Sequence, residues 1–457
     1  MLRLFRVYIS TRVAALLASE FILIYACYLA ATFFWLRADP SAFLGDENGW
    51  QRILIVVCCL VLATYFLDLY SNLRFSRELL QKVVVVVATA FLTEAILSYV
   101  KLPQWVVPAR PMILGSALTF SALIASRFIF VLLLRKMPTE GIVFLGNSCV
   151  VQQIASHLEA HPEMGLTPLG FLDDSNSTNA NRLGAISDLR AVVERLHPKR
   201  IVVGLEERRA NLPVTQLLDL RLAGIRIEEA VSTYEMLFER MSTHGLRPSQ
   251  LIFSSNELGW NRSCVRLQSA YSTAIAVVVA LAASPVMLLV ATLVKLTSPG
   301  PTFLRQHRVG KNNRVFTLYK FRSMVRDAEV RSGAVWATRN DPRVTPVGRW
   351  LRRLRLDELP QLFNVLKGDM SIVGPRPERP EIVAQLEEQI PYYRQRHCIK
   401  PGITGWAQIK HKYGDSMEDS RMKLEYDLYY IKNLAPALDA VIVFHTAKVM
   451  LLSRGAQ

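Results

Sequence analysis

The sequence predicts a membrane protein of α/β class. A four-helix transmembrane bundle occupies 1–137 and a Rossmann-like α/β domain 138–250. The remainder, 251–457, holds a re-entrant membrane hairpin (268–297) and a small mixed α/β domain. Three observations predict this: four apolar runs near the N-terminus, a strand–helix alternation after them, and a fifth apolar run broken by Ser284-Pro285 between two basic flanks.

The chain has 457 residues, 51% of them hydrophobic, and a mean hydropathy of +0.22. The apolar residues are clumped, so part of the chain belongs in a bilayer. The runs at 13–36, 53–70, 83–100 and 112–134 are each ~18–24 residues, about what a helix needs to cross ~30 Å of hydrocarbon. Arg3, Arg6 and Arg12 precede the first run; Asp39, Asp46 and Glu47 follow it. Arg74, Arg77 and Lys82 lie between the second and third, and Arg135 and Lys136 follow the fourth. Lys101 and Arg110 oppose this trend, but the sum puts both ends of the bundle in the cytoplasm. The first run is too long for a signal h-region and no small-residue site follows it, so no cleavable leader is expected. Arg127, inside the fourth run, reads as a cation snorkelling to the headgroups.

From Gly141 the pattern changes. GIVFLG, LGFLDD and RIVVGL read as buried strands, alternating with helices at 150–158, 188–196 and 213–223. This is the pattern of a doubly wound sheet over 139–240. Its first turn, Gly146-Asn-Ser-Cys-Val-Val, has one glycine where a dinucleotide fingerprint needs more, so cofactor binding is read as lost.

The fifth apolar run, 270–296, has Arg262 and Arg266 before it and Lys295, Arg305 and Arg308 after it. Both flanks favour the cytoplasmic side, which argues for entry, a break at Ser284-Pro285, and return. Proline removes a backbone donor, and the Ser284 hydroxyl is placed to satisfy the carbonyl that it frees.

The net charge is +16, and the cations concentrate between Arg305 and Arg355. No zinc-finger, RNA-binding or basic-zipper pattern accompanies them, so nucleic acid is not the partner; lipid headgroups and phosphates fit better. The six cysteines form no CxxC and no disulfide framework.

The informative strings follow 297. Lys320 and Arg322 lie two apart on an alternating strand, facing an anion or solvent. Asp357-Glu358 precedes Leu359, Leu362, Phe363 and Leu366 at helical spacing. Asp357 falls where an N-cap belongs and Pro360 in the first turn. Read blandly, this is a capped helix. Read functionally, a helix N-terminus suits a phosphoryl group, and a carboxylate kept ionised by Arg352, Arg353 and Arg355 suits nucleophilic attack at phosphorus. Pro375-Arg376-Pro377 holds one cation stiffly, as diphosphate binding requires. Trp406, Tyr392 and Tyr393 belong either at headgroup level or in a core.

KFRSM, RLDELPQLFNVLKGDMSIVGPRP and KPGITGWAQI together resemble the bacterial sugar transferases known as monotopic polyprenyl-phosphate phosphoglycosyl transferases, and the whole chain resembles their long forms. The ending YGDSMEDSRMKLEYDLYYI is similar to the branch linked to exosortase systems. The resemblance implies transfer of hexose-1-phosphate from a UDP-sugar to undecaprenyl phosphate, with UMP released and exopolysaccharide synthesis begun. It implies Asp357 as nucleophile and ligand of Mg²⁺, Glu358 as its assistant, and Arg352, Pro375 and Arg376 as substrate-binding elements; Lys320 and Arg322 are taken as further substrate-binding candidates on their spacing. Ser284 and Pro285 match the family's membrane-helix break. The implied place is the bacterial inner membrane, among its lipids, with the catalytic domain facing the cytoplasm; homo-oligomerisation stays open. After Gln408 many members read Val-Asn-Gly-Arg where this chain reads Ile-Lys-His-Lys, so the sugar is the least determined part.

Two competing readings make other predictions. A non-catalytic membrane scaffold or sensor would tolerate loss of Asp357. A nucleotide-sugar dehydratase or epimerase would need a glycine-rich loop and a Tyr-x-x-x-Lys pair, and Tyr413 has Met417 at that spacing.

Overall fold

A computed structural model describes residues 2–4, 7–9, 11–35, 40–70, 77–100, 102–136, 138–174, 181–205, 212–244, 262–325, 341–411, 414 and 416–451. The expected boundary near 250 and the flanking Asp39, Arg74, Lys101 and Tyr413 lie outside them. The chain divides into two compact units, the first mostly 9–142 and the second mostly 169–457.

The first unit holds α1 (Thr11–Trp35), α2 (Gly49–Phe66), α3 (Arg77–Tyr99) and α4 (Ala109–Lys136), apolar over most of their length with a few buried charges such as Glu20, Glu94 and Arg127. Each is long and apolar enough to cross a membrane. They share a core that includes Ile24, Tyr28, Ile53, Leu60, Val83, Ala90 and Leu123. Arg127 does not snorkel. It is 2% exposed and its guanidinium lies 3.1 Å from the fully buried Glu20. It also donates to the Leu69 carbonyl and sits over the Tyr70 ring. Tyr70 donates to the same carboxylate at 2.7 Å. A charge that finds a countercharge and two further partners inside the bundle gains nothing from reaching outward.

The α/β region has β1 (Glu140–Leu145), α5 (Cys149–Ala160), β2 (Leu166–Leu172), β3 (Arg182–Gly184), α6 (Leu189–Leu196), β4 (Arg200–Val203), α7 (Val214–Leu222), β5 (Arg226–Glu229) and α8 (Ala230–Phe238). The sheet order is β3-β2-β1-β4-β5, and the outer pairs β2–β3 and β4–β5 run parallel. This is the order that the alternating pattern calls for. Gly146, at φ +94, closes the turn after β1, a conformation that a side chain would resist.

The C-terminal module begins with α9 (Arg262–Thr297), then the antiparallel hairpin β6 (Phe303–Val309) and β7 (Val315–Phe321). Next come α10 (Pro346–Arg353), a 3₁₀ turn (Leu356–Glu358), α11 (Gln361–Lys367), β8 (Ser371–Val373), α12 (Pro380–Gln389), β9 (Gly402–Thr404), α13 (Trp406–Lys410), α14 (Met417–Lys432) and α15 (Pro436–Leu451). Its main core gathers Val383, Leu386, Trp406, Leu424, Leu428, Tyr429 and Leu438. Trp406 stacks on Tyr429, and Trp406 and Tyr393 are 1% and 2% exposed. Both belong to the core rather than to a headgroup layer.

The expected helix–break–helix is one continuous helix, α9, with Pro285 inside it. The reason is visible at the proline. Pro285 cannot donate to the Leu281 carbonyl, and the Ser284 hydroxyl does so instead at 2.8 Å. The apolar face of α9 is mostly exposed, with Leu281, Leu288 and Leu296 all above 70%. Its other face lies on the module on both sides of Pro285: Ala276 packs with Leu318 and Leu362, and Met287, Val290 and Val294 pack with Phe321 and Leu351.

Candidate functional site

The acid pair sits between three pieces of backbone. Asp357 and Glu358 lie in the 3₁₀ turn, so Asp357 is not the expected N-cap. The chain enters the turn through Arg355, at φ 58, and leaves it into Pro360, the N-cap of α11. The backbone here makes i→i−3 bonds, Glu358 N to Arg355 O and Leu359 N to Leu356 O, so the α-helix starts later than the apolar spacing suggests.

Asn364 locks α11 to β7. It is fully buried; its amide donates to Thr317 O at 2.7 Å and accepts from Tyr319 N at 3.1 Å. Lys320, next on β7, therefore arrives beside Glu358, with Nζ 3.2 Å from Oε1. Arg376 Nη2 donates to the same oxygen at 2.8 Å. The loop that carries Arg376 is pinned by its carbonyls: Gly402 N donates to Pro375 O at 3.0 Å, and Arg308 Nη1 donates to Pro377 O at 3.2 Å. The approach of β8 to β9 explains the glycines of VGPRP and KPGITG. A Cβ on Gly402 would stand 2.1 Å from Gly374 N.

Arg352, on α10, donates through Nε to Ser323 Oγ at 2.9 Å, and its charge acts on Asp357. Lys320, Arg352, Pro375 and Arg376 are thus brought around Asp357 and Glu358. Arg322 is not. It is 6% exposed and donates to Ser298 O (2.6 Å) and Pro299 O (3.0 Å), tying down the turn after α9. β7 ends at Phe321, so the strand alternation that placed Arg322 beside Lys320 has already lapsed. Ser284 and Pro285 act within α9 as described.

The two carboxylates differ in electrostatics. Burial alone would raise Glu358, but Arg376 and Lys320 outweigh it and hold the carboxyl well below its usual range. Asp357 is pushed up, first by burial and then by the Glu358 charge; Lys320, Arg352 and Arg355 only partly oppose this. The two carboxyls are thus pushed in opposite directions, Glu358 down by its cations and Asp357 up by burial and by its neighbour's charge.

Among the described residues there is no cluster of three or more His, Cys, Asp or Glu that could hold a metal. The acid pair still suits Mg²⁺, which takes one or two carboxylates and completes its shell with phosphate oxygens and water.

Sequence reasoning missed Asn364, Ser323 and Arg308. Asn364 carried a signal: it is a polar residue amid the apolar Leu362, Phe363, Val365 and Leu366 of one short helix. Ser323 carried none, and Arg308 only its place among the cations that follow the fifth apolar run, because their partners are distant in sequence.

Apolar helices followed by a module that gathers cations around a buried acid pair define a membrane-associated protein. The Bacterial sugar transferase family profile matches residues 263–453. The chain is 33% identical to the UDP-glucose:undecaprenyl-phosphate glucose-1-phosphate transferase of Xanthomonas campestris pv. campestris, over 71% of this chain and 70% of that protein. It is 36% identical to the Escherichia coli (strain K12) protein of the same name, over 66% and 65%. It is 53% identical to the UDP-N-acetylgalactosamine-undecaprenyl-phosphate N-acetylgalactosaminephosphotransferase of Aeromonas hydrophila, over 38% of this chain and 41% of that protein. The chain belongs to the bacterial sugar transferase family. It spans less than half the length of some relatives, 41% of the Aeromonas protein and 36% of a Komagataeibacter xylinus glucose phosphotransferase.

Proposed function

We propose that this protein transfers a sugar-1-phosphate from a UDP-sugar to undecaprenyl phosphate, with Asp357 as the covalent nucleophile. The observation that carries the reading is the buried acid pair with its cations: Lys320 and Arg376 both reach one Glu358 oxygen, beside an Asp357 that is 8% exposed. An Asp357 oxygen attacks the sugar-bearing phosphorus. The bond from that phosphorus to the bridging oxygen breaks, and UMP leaves with the electron pair. An oxygen of undecaprenyl phosphate then attacks the aspartyl phosphosugar, frees the carboxylate and carries the sugar phosphate away. One phosphoanhydride replaces another, so stabilising the transferring charge is the main task. Arg352, Arg376 and Lys320 serve it. Glu358 orients two of those cations rather than moving a proton. Bound Mg²⁺, held by the acid pair, would neutralise diphosphate charge.

The relatives' names carry glucose and N-acetylgalactosamine, so the sugar is a hexose or a 2-acetamido hexose. The module would sit on the cytoplasmic face of a bacterial inner membrane, with α9 re-entrant. Two features support that placement: both ends of α9 are basic, and the module packs on both halves of it. Exposed Trp350 and Leu354 at α10 and Phe363 on α11 extend the apolar surface.

The deciding experiment incubates membranes with UDP-glucose, UDP-N-acetylgalactosamine and related donors, then follows UMP and labelled lipid. Expected are donor-dependent UMP release, a phosphosugar on the Asp357 peptide by mass spectrometry, and loss of both in Asp357→Asn. Normal turnover by Asp357→Asn removes the covalent mechanism; a wild type that releases no UMP from any donor, with polymer production intact in Asp357→Asn cells, favours a scaffold.

A further inference from the structure

Four consecutive carbonyls, Pro375 to Glu378, each accept a hydrogen bond. The donor to Arg376 O is the guanidinium of Arg396, through Nη2 at 3.1 Å. The same nitrogen lies 2.7 Å from Asp427 Oδ2, and the two side chains are 4% and 1% exposed. Arg396 Nη1 donates to the Tyr393 hydroxyl, and the guanidinium lies over the Tyr393 ring at 5.1 Å. Arg396 is therefore fixed by an ion pair, a hydroxyl and a ring face before it reaches the loop.

An ion pair this deep adds little to stability, because desolvating both charges cancels most of their attraction; apolar residues of similar volume would fill the core as well. An apolar pair would not hold a backbone carbonyl. The held carbonyl belongs to the residue whose side chain meets Glu358, and Pro377 already restricts that residue's backbone. We infer that Asp427 and Arg396 are positioning residues for the reaction. Asp427 orients the guanidinium, Arg396 fixes the Arg376 carbonyl, and Arg376 then presents its side chain to Glu358 and a donor diphosphate at one angle. The inference rests on the proposed transfer for its substrate; the restraint on the loop rests on the distances alone.

The test is a double-mutant cycle on the full chain in detergent: wild type, Asp427→Asn, Arg376→Ala and both together. Two quantities are read. One is UMP release with whichever donor the wild type accepts. The other is the UDP concentration giving half the ligand-induced rise in melting temperature, since UDP carries the diphosphate common to all the donors. Asp427→Asn is expected to cut turnover at least tenfold and to weaken UDP at least threefold in the wild-type background. In the Arg376→Ala background each effect should shrink below twofold. Equal losses in both backgrounds mean that the pair only fills the core, and overturn the inference. If Asp427→Asn does not fold, Tyr393→Phe replaces it, because it removes one partner of Arg396 and keeps the ion pair. A loss confined to the background that retains Arg376 supports positioning; equal losses overturn it. A wild type that releases no UMP from any donor sinks the transfer reading alone, and the UDP half of the cycle still decides the positioning.

Discussion

Arg376 Nη2 stands 2.8 Å from Glu358 Oε1, the oxygen that Lys320 also reaches at 3.2 Å. One carboxylate oxygen thus sets the separation of two cations arriving from different strands and loops. Glu358→Gln keeps the shape and removes the charge that gathers them. Turnover should fall by about 10²–10³, the usual loss when one preorganised electrostatic partner is removed. The folded fraction should change little, because the amide oxygen still accepts. Steady-state UMP release, compared with thermal melts of the same samples, checks both halves.

The acid limb of the rate profile should report Asp357. Burial and the Glu358 charge raise its carboxyl, so its reactive ionised form is lost at a higher pH than for an ordinary aspartate, whose pKa is about 3.9. Glu358 is held low and stays ionised across that limb. The limb should therefore titrate as one proton, with activity falling as pH drops. Arg352→Gln removes a charge that lowers Asp357 and should move the limb to higher pH. A kcat/KM profile of both proteins decides this, and a shift to lower pH counts against Asp357 as the titrating group.

How much of this was legible in the residues depended on the length scale of the physics. The five apolar helices follow from composition along contiguous windows, and so does the alternating α/β pattern. Strand alternation left Lys320 facing either an anion or solvent, and its contact with Glu358 appears only in the fold. Arg322 was misplaced because alternation predicts a face only while the strand lasts, and β7 stops one residue short. The Asp357 cap failed because its residues take a 3₁₀ turn before the α-helix begins. Asn364, Arg396 and Asp427 depend on partners 20 to 47 residues away, which no local pattern encodes.

Arg127 and Glu20 give a prediction inside the bundle. They pair at 3.1 Å with almost no exposure. Arg127→Leu alone leaves a buried carboxylate without its countercharge and should destabilise the bundle by about 3–5 kcal/mol. Adding Glu20→Leu removes that orphan, and the double variant should regain most or all of the loss. Melting in detergent, with UMP release as a second readout, separates the outcomes. A double variant as unstable as the single one would mean that Tyr70 and the Leu69 carbonyl, not the countercharge, hold Arg127 in place.

The topology of α9 is the last point open to a direct measurement. A straight helix of 36 residues at about 1.5 Å per residue would run about 54 Å, far beyond a hydrocarbon core of about 30 Å. A perpendicular crossing would leave its ends on opposite sides and bury in lipid the module surfaces that pack along it, including the residues around Asn364. A re-entrant path instead keeps Arg266 and Lys295 on one side, as their charges prefer. Arg266→Cys and Lys295→Cys, both at exposed positions, should then react with a membrane-impermeant maleimide only after the inner face is opened. Labelling of Lys295→Cys in intact cells would place the end of α9 outside. It would also carry Asp357 away from cytoplasmic nucleotide sugars, which makes this the measurement on which the membrane half of the proposal depends.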